Sequence, residues 1–152
     1  MSATDRFAGV TLDVPRIMGI INVTPDSFSD GGESWLLEDA LTRGHAMIAA
    51  GADMLDIGGE STRPGADPVD EKEEIARVVP VIRALAADGV LVSIDTRHAE
   101  VMRASIAAGA RIVNDVTALT GDDDSLAVVA EAGVDVILMH MQGEPRTMQV
   151  RP

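Results

Sequence analysis

Polar side chains able to do chemistry recur at one kind of place in this chain, just after a short, apolar, β-branched run. Asn22 follows the first such run, Gly58-Gly59-Glu60 the second, Asp95 the third, Asn114-Asp115 the fourth and His140 the fifth. Carboxylates accept hydrogen bonds, and amides both donate and accept, so together they can grip a polar ligand with mixed edges. Taken singly, each residue also fits an Asx turn or a helix N-cap. For Asp95 that alternative has a specific form: Asp95 or Thr96 could cap the helical segment that begins at His98. Repetition across five strands favours one shared site over five unrelated caps.

The runs that position these residues are Arg16 to Ile21, Asp53 to Ile57, Val90 to Ile94, Arg111 to Val113 and Val134 to Met139. Continuous apolar runs of this length suit strands covered on both faces. Between them lie segments of helical period, Leu36 to Ala50, Glu71 to Ala87, His98 to Ala108 and Ser125 to Ala132. Gly51, Gly89, Gly109 and Gly133 each end a helical segment, where a left-handed cap is needed. Strict strand–helix alternation predicts a parallel sheet with right-handed crossovers, either an open doubly wound sheet or a closed barrel. In both, the C-terminal strand edge builds the ligand site. Two connections there, Val23 to Trp35 and Gly58 to Asp70, are longer than the roughly 2–6 residues usual for this position. Long loops at this edge usually carry function.

The chain has 152 residues, enough for one domain with a packed core but short of the ~250 typical of a complete eight-unit βα-barrel. Apolar residues make up 46% and charged residues 24%, ordinary globular usage rather than disorder. The net charge of −13 argues against nucleic acid and anionic membrane surfaces as partners. With no cysteine, a disulfide framework, a thiolate nucleophile and a cysteine zinc site are excluded. The N-terminus lacks a leader pattern and no run reaches membrane-spanning length, so the expected location is the cytoplasm.

Common motifs fail on inspection. Asp26 to Leu37 has a calcium-loop outline, but Phe28 and Leu37 stand where oxygen ligands are required. Gly58-Gly59 has neither the glycine spacing nor the lysine of a nucleotide loop. His45, His98 and His140 are too scattered for a His-x-x-x-His zinc motif.

Longer strings are specific. Met18 to Gly32, reading MGIINVTPDSFSDGG, and Asp56 to Ala66, reading DIGGESTRPGA, resemble the two signatures of the dihydropteroate synthase family of pterin-binding enzymes. Ser93-Ile94-Asp95-Thr96, Ile112-Val113-Asn114-Asp115 and Met139-His140-Met141-Gln142-Gly143 extend the resemblance over the chain from Arg16 onward. The resemblance implies a parallel (β/α)8 TIM barrel, with residues 1–152 as the N-terminal part of one domain holding roughly the first five strands. It implies condensation of 7,8-dihydropterin-6-ylmethyl diphosphate with 4-aminobenzoate, releasing diphosphate with the help of magnesium.

The family's roles fall on matching positions. Asp95 and Asn114 are implied pterin contacts, Met139 an apolar surface against the ring, and Asn22 a residue near diphosphate and Mg2+. Thr62 and Arg63 are implied contacts to diphosphate and aminobenzoate, Phe28 and Pro64 walls of the aminobenzoate ring, and Asp30 a loop residue ordered as that site assembles. Asp95 and Arg63 are the implied catalytic pair. A homodimer when full length and the role of a sulfonamide target belong to the same expectation. Further family residues, a second pterin Asp, a Lys and an Arg-x-His pair, have no match in the chain, so it is expected to be part of a longer enzyme and inactive alone. Two alternatives stand beside this reading: a methyltetrahydrofolate–corrinoid methyltransferase-like domain, and a non-catalytic half-barrel completed by a partner chain.

Overall fold

The computed structural model describes residues 5–25, 32–60 and 69–140, with only the backbone of residues 32–34. A small antiparallel hairpin, β1 (Arg6–Phe7) and β2 (Val10–Thr11), precedes the main sheet. The sheet contains β3 (Met18–Asn22), β4 (Met54–Gly58), β5 (Val92–Asp95), β6 (Ile112–Asp115) and β7 (Asp135–Leu138), all parallel. Four helices alternate with them: α1 (Gly32–Ala49), α2 (Glu71–Ala87), α3 (Ala99–Ala108) and α4 (Ser125–Ala132). All five expected strands and all four expected helices are present.

Strand order decides between the two architectures that periodicity left open. The strands lie in sequence order, β3-β4-β5-β6-β7, with no reversal. A doubly wound sheet needs a reversal at its switch point, whereas a barrel is wound in one direction. Packing agrees. Ile21, Ile57, Ile94 and Val113 are paired across the strands, all fully buried, in one core with Val78, Val81, Ile82 and Leu85 of α2 and Val101 and Met102 of α3. The residues between them face the other way, because strand side chains alternate. The helices therefore cover one face, and the opposite face is free to line a barrel interior.

On α2 the buried residues Glu74, Val78, Val81, Ile82 and Leu85 form one stripe at helical spacing. A carboxylate begins that stripe where an apolar side chain would ordinarily sit. All four glycines placed at helix ends adopt positive φ, a conformation that a Cβ disfavours.

Several boundaries differ from the sequence reading. The first strand starts at Met18 rather than Arg16 and includes Asn22; α1 starts at Gly32, a turn before the expected Leu36, so the loop expected to run to Trp35 ends sooner. The third helix begins at Ala99, one residue after His98. The β1–β2 hairpin was not anticipated. Its turn carries Ala8 at φ 48° and Gly9 at φ 87°, the twist a tight hairpin favours but one that alanine resists. Non-local contacts hold it: the Ala8 amide donates to Asp135 Oδ2 at 2.6 Å, and Ala8 packs with Met54 and Ile112. The hairpin covers the inner face toward the strands' N-terminal ends.

No helix among the described residues is long and apolar enough to cross a membrane. Truncating Leu85, fully buried between sheet and helices, tests the packing. Leu85→Ala is expected to cost about 2–5 kcal/mol in urea unfolding.

Candidate active site at the C-terminal strand edge

Four of the residues singled out by type and position fall on one line. Asn22 pairs with Gly58, Gly58 with Asp95, Asp95 with Asn114, and Asn114 with Ile137. Residues in lateral register on parallel strands point to the same face, and strands lie about 4.8 Å apart, so Asn22 to Asn114 spans about 14 Å. Met139, two positions beyond Ile137, falls on that face by alternation and is exposed. Asn22, Asp95, Asn114 and Met139 are thus brought to one edge. Phe28, Asp30, Thr62, Arg63 and Pro64 lie outside the described residues.

Gly58 permits the close approach of its neighbours. A Cβ there would lie 3.2 Å from Asn22 Oδ1 and 3.7 Å from both Asp95 Cβ and Asp95 Oδ2. A larger residue would push between the two polar groups and occupy the floor of the site.

One row deeper, Ile20, Asp56, Ser93, Ile112 and Asp135 are paired in the same way. Asp56 is 2% exposed, and its Oδ2 accepts a 2.9 Å hydrogen bond from Asn114 Nδ2. Burial pushes the Asp56 carboxyl above its ordinary range, while hydrogen bonding, from Asn114 among others, draws it back. A carboxylate can only accept, so this contact turns the amide nitrogen of Asn114 inward and leaves its carbonyl oxygen for a ligand. Sequence reasoning missed Asp56. Its signal was available: a charged residue inside an apolar run, two positions before the strand end and therefore on the same face as Gly58.

Asp95 is pushed up to about 7, first by burial and then by the negative charges of Asp56, Glu74, Asp115 and Glu60. It does not cap the following helix. Thr96 Oγ1 accepts from the His98 amide at 3.2 Å, and Asp122 Oδ2 from the Ala99 amide at 2.9 Å. The bond from the Ala99 amide, together with a second from the Asp124 amide, holds Asp122 below the ordinary carboxylate range. Asp95 is therefore left for the inner face.

Asp115, the neighbour of Asn114, behaves differently. Its Oδ1 accepts from the amide and hydroxyl of Thr117, each at 2.8 Å, and its Oδ2 from the Leu119 amide at 3.0 Å. These bonds hold a turn in which Ala118 and Leu119 both have positive φ. Of the Asn114-Asp115 pair, then, one residue faces the site and the other builds its rim. His140 is exposed beyond β7.

Five parallel strands wound in one direction, with an amide–carboxylate row at their C-terminal edge, place these residues where a βα-barrel builds its ligand site. Residues 18–152 match the pterin binding enzyme family, and the chain belongs to it. It is 51% identical over 147 residues to dihydropteroate synthase of Escherichia coli K12, covering 95% of this chain and 52% of that protein. Among solved structures, Xanthomonas albilineans dihydropteroate synthase with 4-aminobenzoic acid superposes with a TM-score of 0.82 at 55% identity, covering 88% of this chain and 49% of that one. The Yersinia pestis dihydropteroate synthase complexed with a sulfonamide drug gives 0.84 at 50% identity, covering 99% and 55%. These neighbours are TIM barrels, and the chain spans about half the length of the relatives it matches.

The raised Asp95 makes stability depend on pH with a definite sign. The unfolded carboxyl ionises near 3.8 and the folded one near 7, so the native state binds more protons between those values and stability falls as pH rises through them. Asp95→Asn is expected to be more stable than the parent at pH 8, with the difference closing toward pH 4. Urea unfolding across that range checks it, and a gap that widens on acidification contradicts it.

Proposed function

We infer that this chain forms the pterin-binding side of a dihydropteroate synthase, which joins 7,8-dihydropterin-6-ylmethyl diphosphate to 4-aminobenzoate in folate synthesis. The observation carrying this reading is the Asp95–Asn114 pair, with Asp56 fixing the amide. A pterin presents its 2-amino group and a ring N–H beside ring acceptors. Ionised Asp95 accepts from the donors, and Asn114 offers its carbonyl oxygen and its second amide proton. Met139 lays a polarizable surface against the ring.

The chemistry assigned to the whole protein is a loose displacement. The bond between the pterin methylene carbon and the diphosphate oxygen breaks, the ring system shares the resulting positive charge, and the arylamine nitrogen attacks the carbon and then loses a proton. Positioning and leaving-group stabilisation suffice for this, with no covalent bond to the enzyme. Arg63 forks onto diphosphate or carboxylate oxygens and Thr62 donates beside it. Phe28 and Pro64 are assigned as walls of the aminobenzoate ring, and Asp30 as a first-loop residue that takes part as that site assembles. The neighbours solved with 4-aminobenzoic acid and with a sulfonamide drug support this choice of second substrate and inhibitor.

Asn22 fits the magnesium expected at such a site. Its Oδ1 is a neutral oxygen at the exposed strand edge, suited to a hard cation that keeps most of its waters and takes other ligands from phosphate. When bound, the ion supplies charge to the departing diphosphate. A cytoplasmic location and a homodimer complete the proposal.

Two measurements test it. Because the ionised carboxylate is the acceptor, the Kd for 6-hydroxymethyl-7,8-dihydropterin is expected to rise as pH falls below about 7, approaching about tenfold per pH unit. Asn114→Ala should weaken binding by about 1–3 kcal/mol. Tighter binding in acid would contradict the assigned role of Asp95. In the intact gene product, dihydropteroate formation from the two substrates is expected, with a large loss of kcat/KM in Asp95→Ala. Methyl transfer from methyltetrahydrofolate to a corrinoid would instead identify the methyltransferase class.

A further inference from the structure

A second cluster lies on the helix side of the same strand ends, away from the Asn22–Asn114 row. Glu60 follows β4, Glu74 opens the buried stripe of α2, and His98 immediately precedes α3. One ligand atom from each lies within 4.8 Å of the other two. His98 Nδ1 is 2.8 Å from Glu74 Oε2 and 4.0 Å from Glu60 Oε2. Glu74 is fully buried, and its Oε1 has no hydrogen-bond partner among the described residues. An unpartnered carboxylate oxygen at such depth is costly and calls for a cation or a proton donor.

We propose that Glu60, Glu74 and His98 bind a divalent transition ion of the zinc class, with a fourth position left to water. The donor set is one imidazole nitrogen and carboxylate oxygens, which suits zinc and cobalt better than calcium or magnesium. Tetrahedral zinc with bonds of about 2.0–2.1 Å places its ligand atoms about 3.3 Å apart. The two distances from His98, 2.8 and 4.0 Å, straddle that value. Small side-chain rotations therefore admit the ion, which replaces the proton between His98 and Glu74.

The surrounding residues orient this set. Arg97 Nη2 donates to Glu60 Oε1 at 2.9 Å, leaving Oε2 turned toward His98. Arg77 Nη1 donates to the Gly59 carbonyl at 2.8 Å, tying the end of β4 to α2. At Gly59 a Cβ would lie 3.0 Å from Glu74 Cγ and 2.8 Å from Val78 Cγ1, so the strand end sits directly on the N-terminal half of α2. Ligands on rigid elements with hydrogen-bonded partners are the usual support of a metal site. A bound ion would join three chain segments at the base of the loop that carries Thr62 and Arg63. The inference stands apart from the assigned reaction.

Titration of the chelator-stripped full chain with Co2+ tests it. One equivalent is expected to bind with the visible absorption of tetrahedral cobalt, to be displaced by Zn2+, and to raise the Tm. His98→Ala should lose the spectrum and the Tm shift, while His45→Ala, at a surface pair with Asp88, should keep both. Glu60→Gln removes a carboxylate ligand and should weaken the ion by at least about tenfold; unchanged affinity there removes Glu60 from the ligand set. No saturable spectrum in the parent chain, or an unchanged one in His98→Ala, overturns the site and leaves His98 as a hydrogen-bond partner of Glu74 alone.

Discussion

The lateral register of the parallel sheet is the constraint on which everything else depends. Because Asn22, Gly58, Asp95 and Asn114 are hydrogen-bonded neighbours across four strands, their side chains share a face and a height. A slip of one residue in any strand would turn its polar end toward the helices and its isoleucine or valine toward the site. The row of Ile21, Ile57, Ile94 and Val113 under the helices prevents such a slip. The hydrophobic core thus holds the geometry of that row.

That arrangement concentrates negative charge. Asp95 stands above buried Asp56, with Glu60, Glu74 and Asp115 near enough to oppose its ionisation. In a fold optimised only for stability, such carboxylates would be replaced by apolar or amide side chains; here the tension is retained at the C-terminal strand edge, where a βα-barrel builds its site. The same principle distinguishes the carboxylates from one another. Asp115 and Asp122 are satisfied by backbone amides and shape loops, whereas Asp56 and Glu74 each keep an oxygen without a partner among the described residues. The unsatisfied groups are the ones that need something more than the described residues supply.

The Asn114 amide shows how a buried partner sets specificity. Alone it could present either end to a ligand. With its nitrogen held by Asp56 at 2.9 Å, rotation would set oxygen against oxygen, so a polar side chain is committed to one orientation before any substrate arrives.

The sequence by itself determined the order of strands and helices, the glycines that end the helices, and the placement of Asn22, Asp95 and Asn114 at strand ends. These follow from local periodicity and backbone preference, and the long strings also identified the family. Phe28, Asp30, Thr62, Arg63 and Pro64 were named from those strings and lie outside the described residues. Only the tertiary structure decided the rest. It showed that Asp95 is free because Thr96 and Asp122 cap α3, that Asn114 and Asp115 serve opposite faces, that Asp56 lies beneath the site, and that Glu60, Glu74 and His98 meet. It also placed the hairpin at Ala8, a residue whose own preference opposes the turn. Each of these outcomes depends on which distant group satisfies a given donor or acceptor, and strand register and helix packing settle that across the fold, beyond the reach of neighbouring residues in the chain.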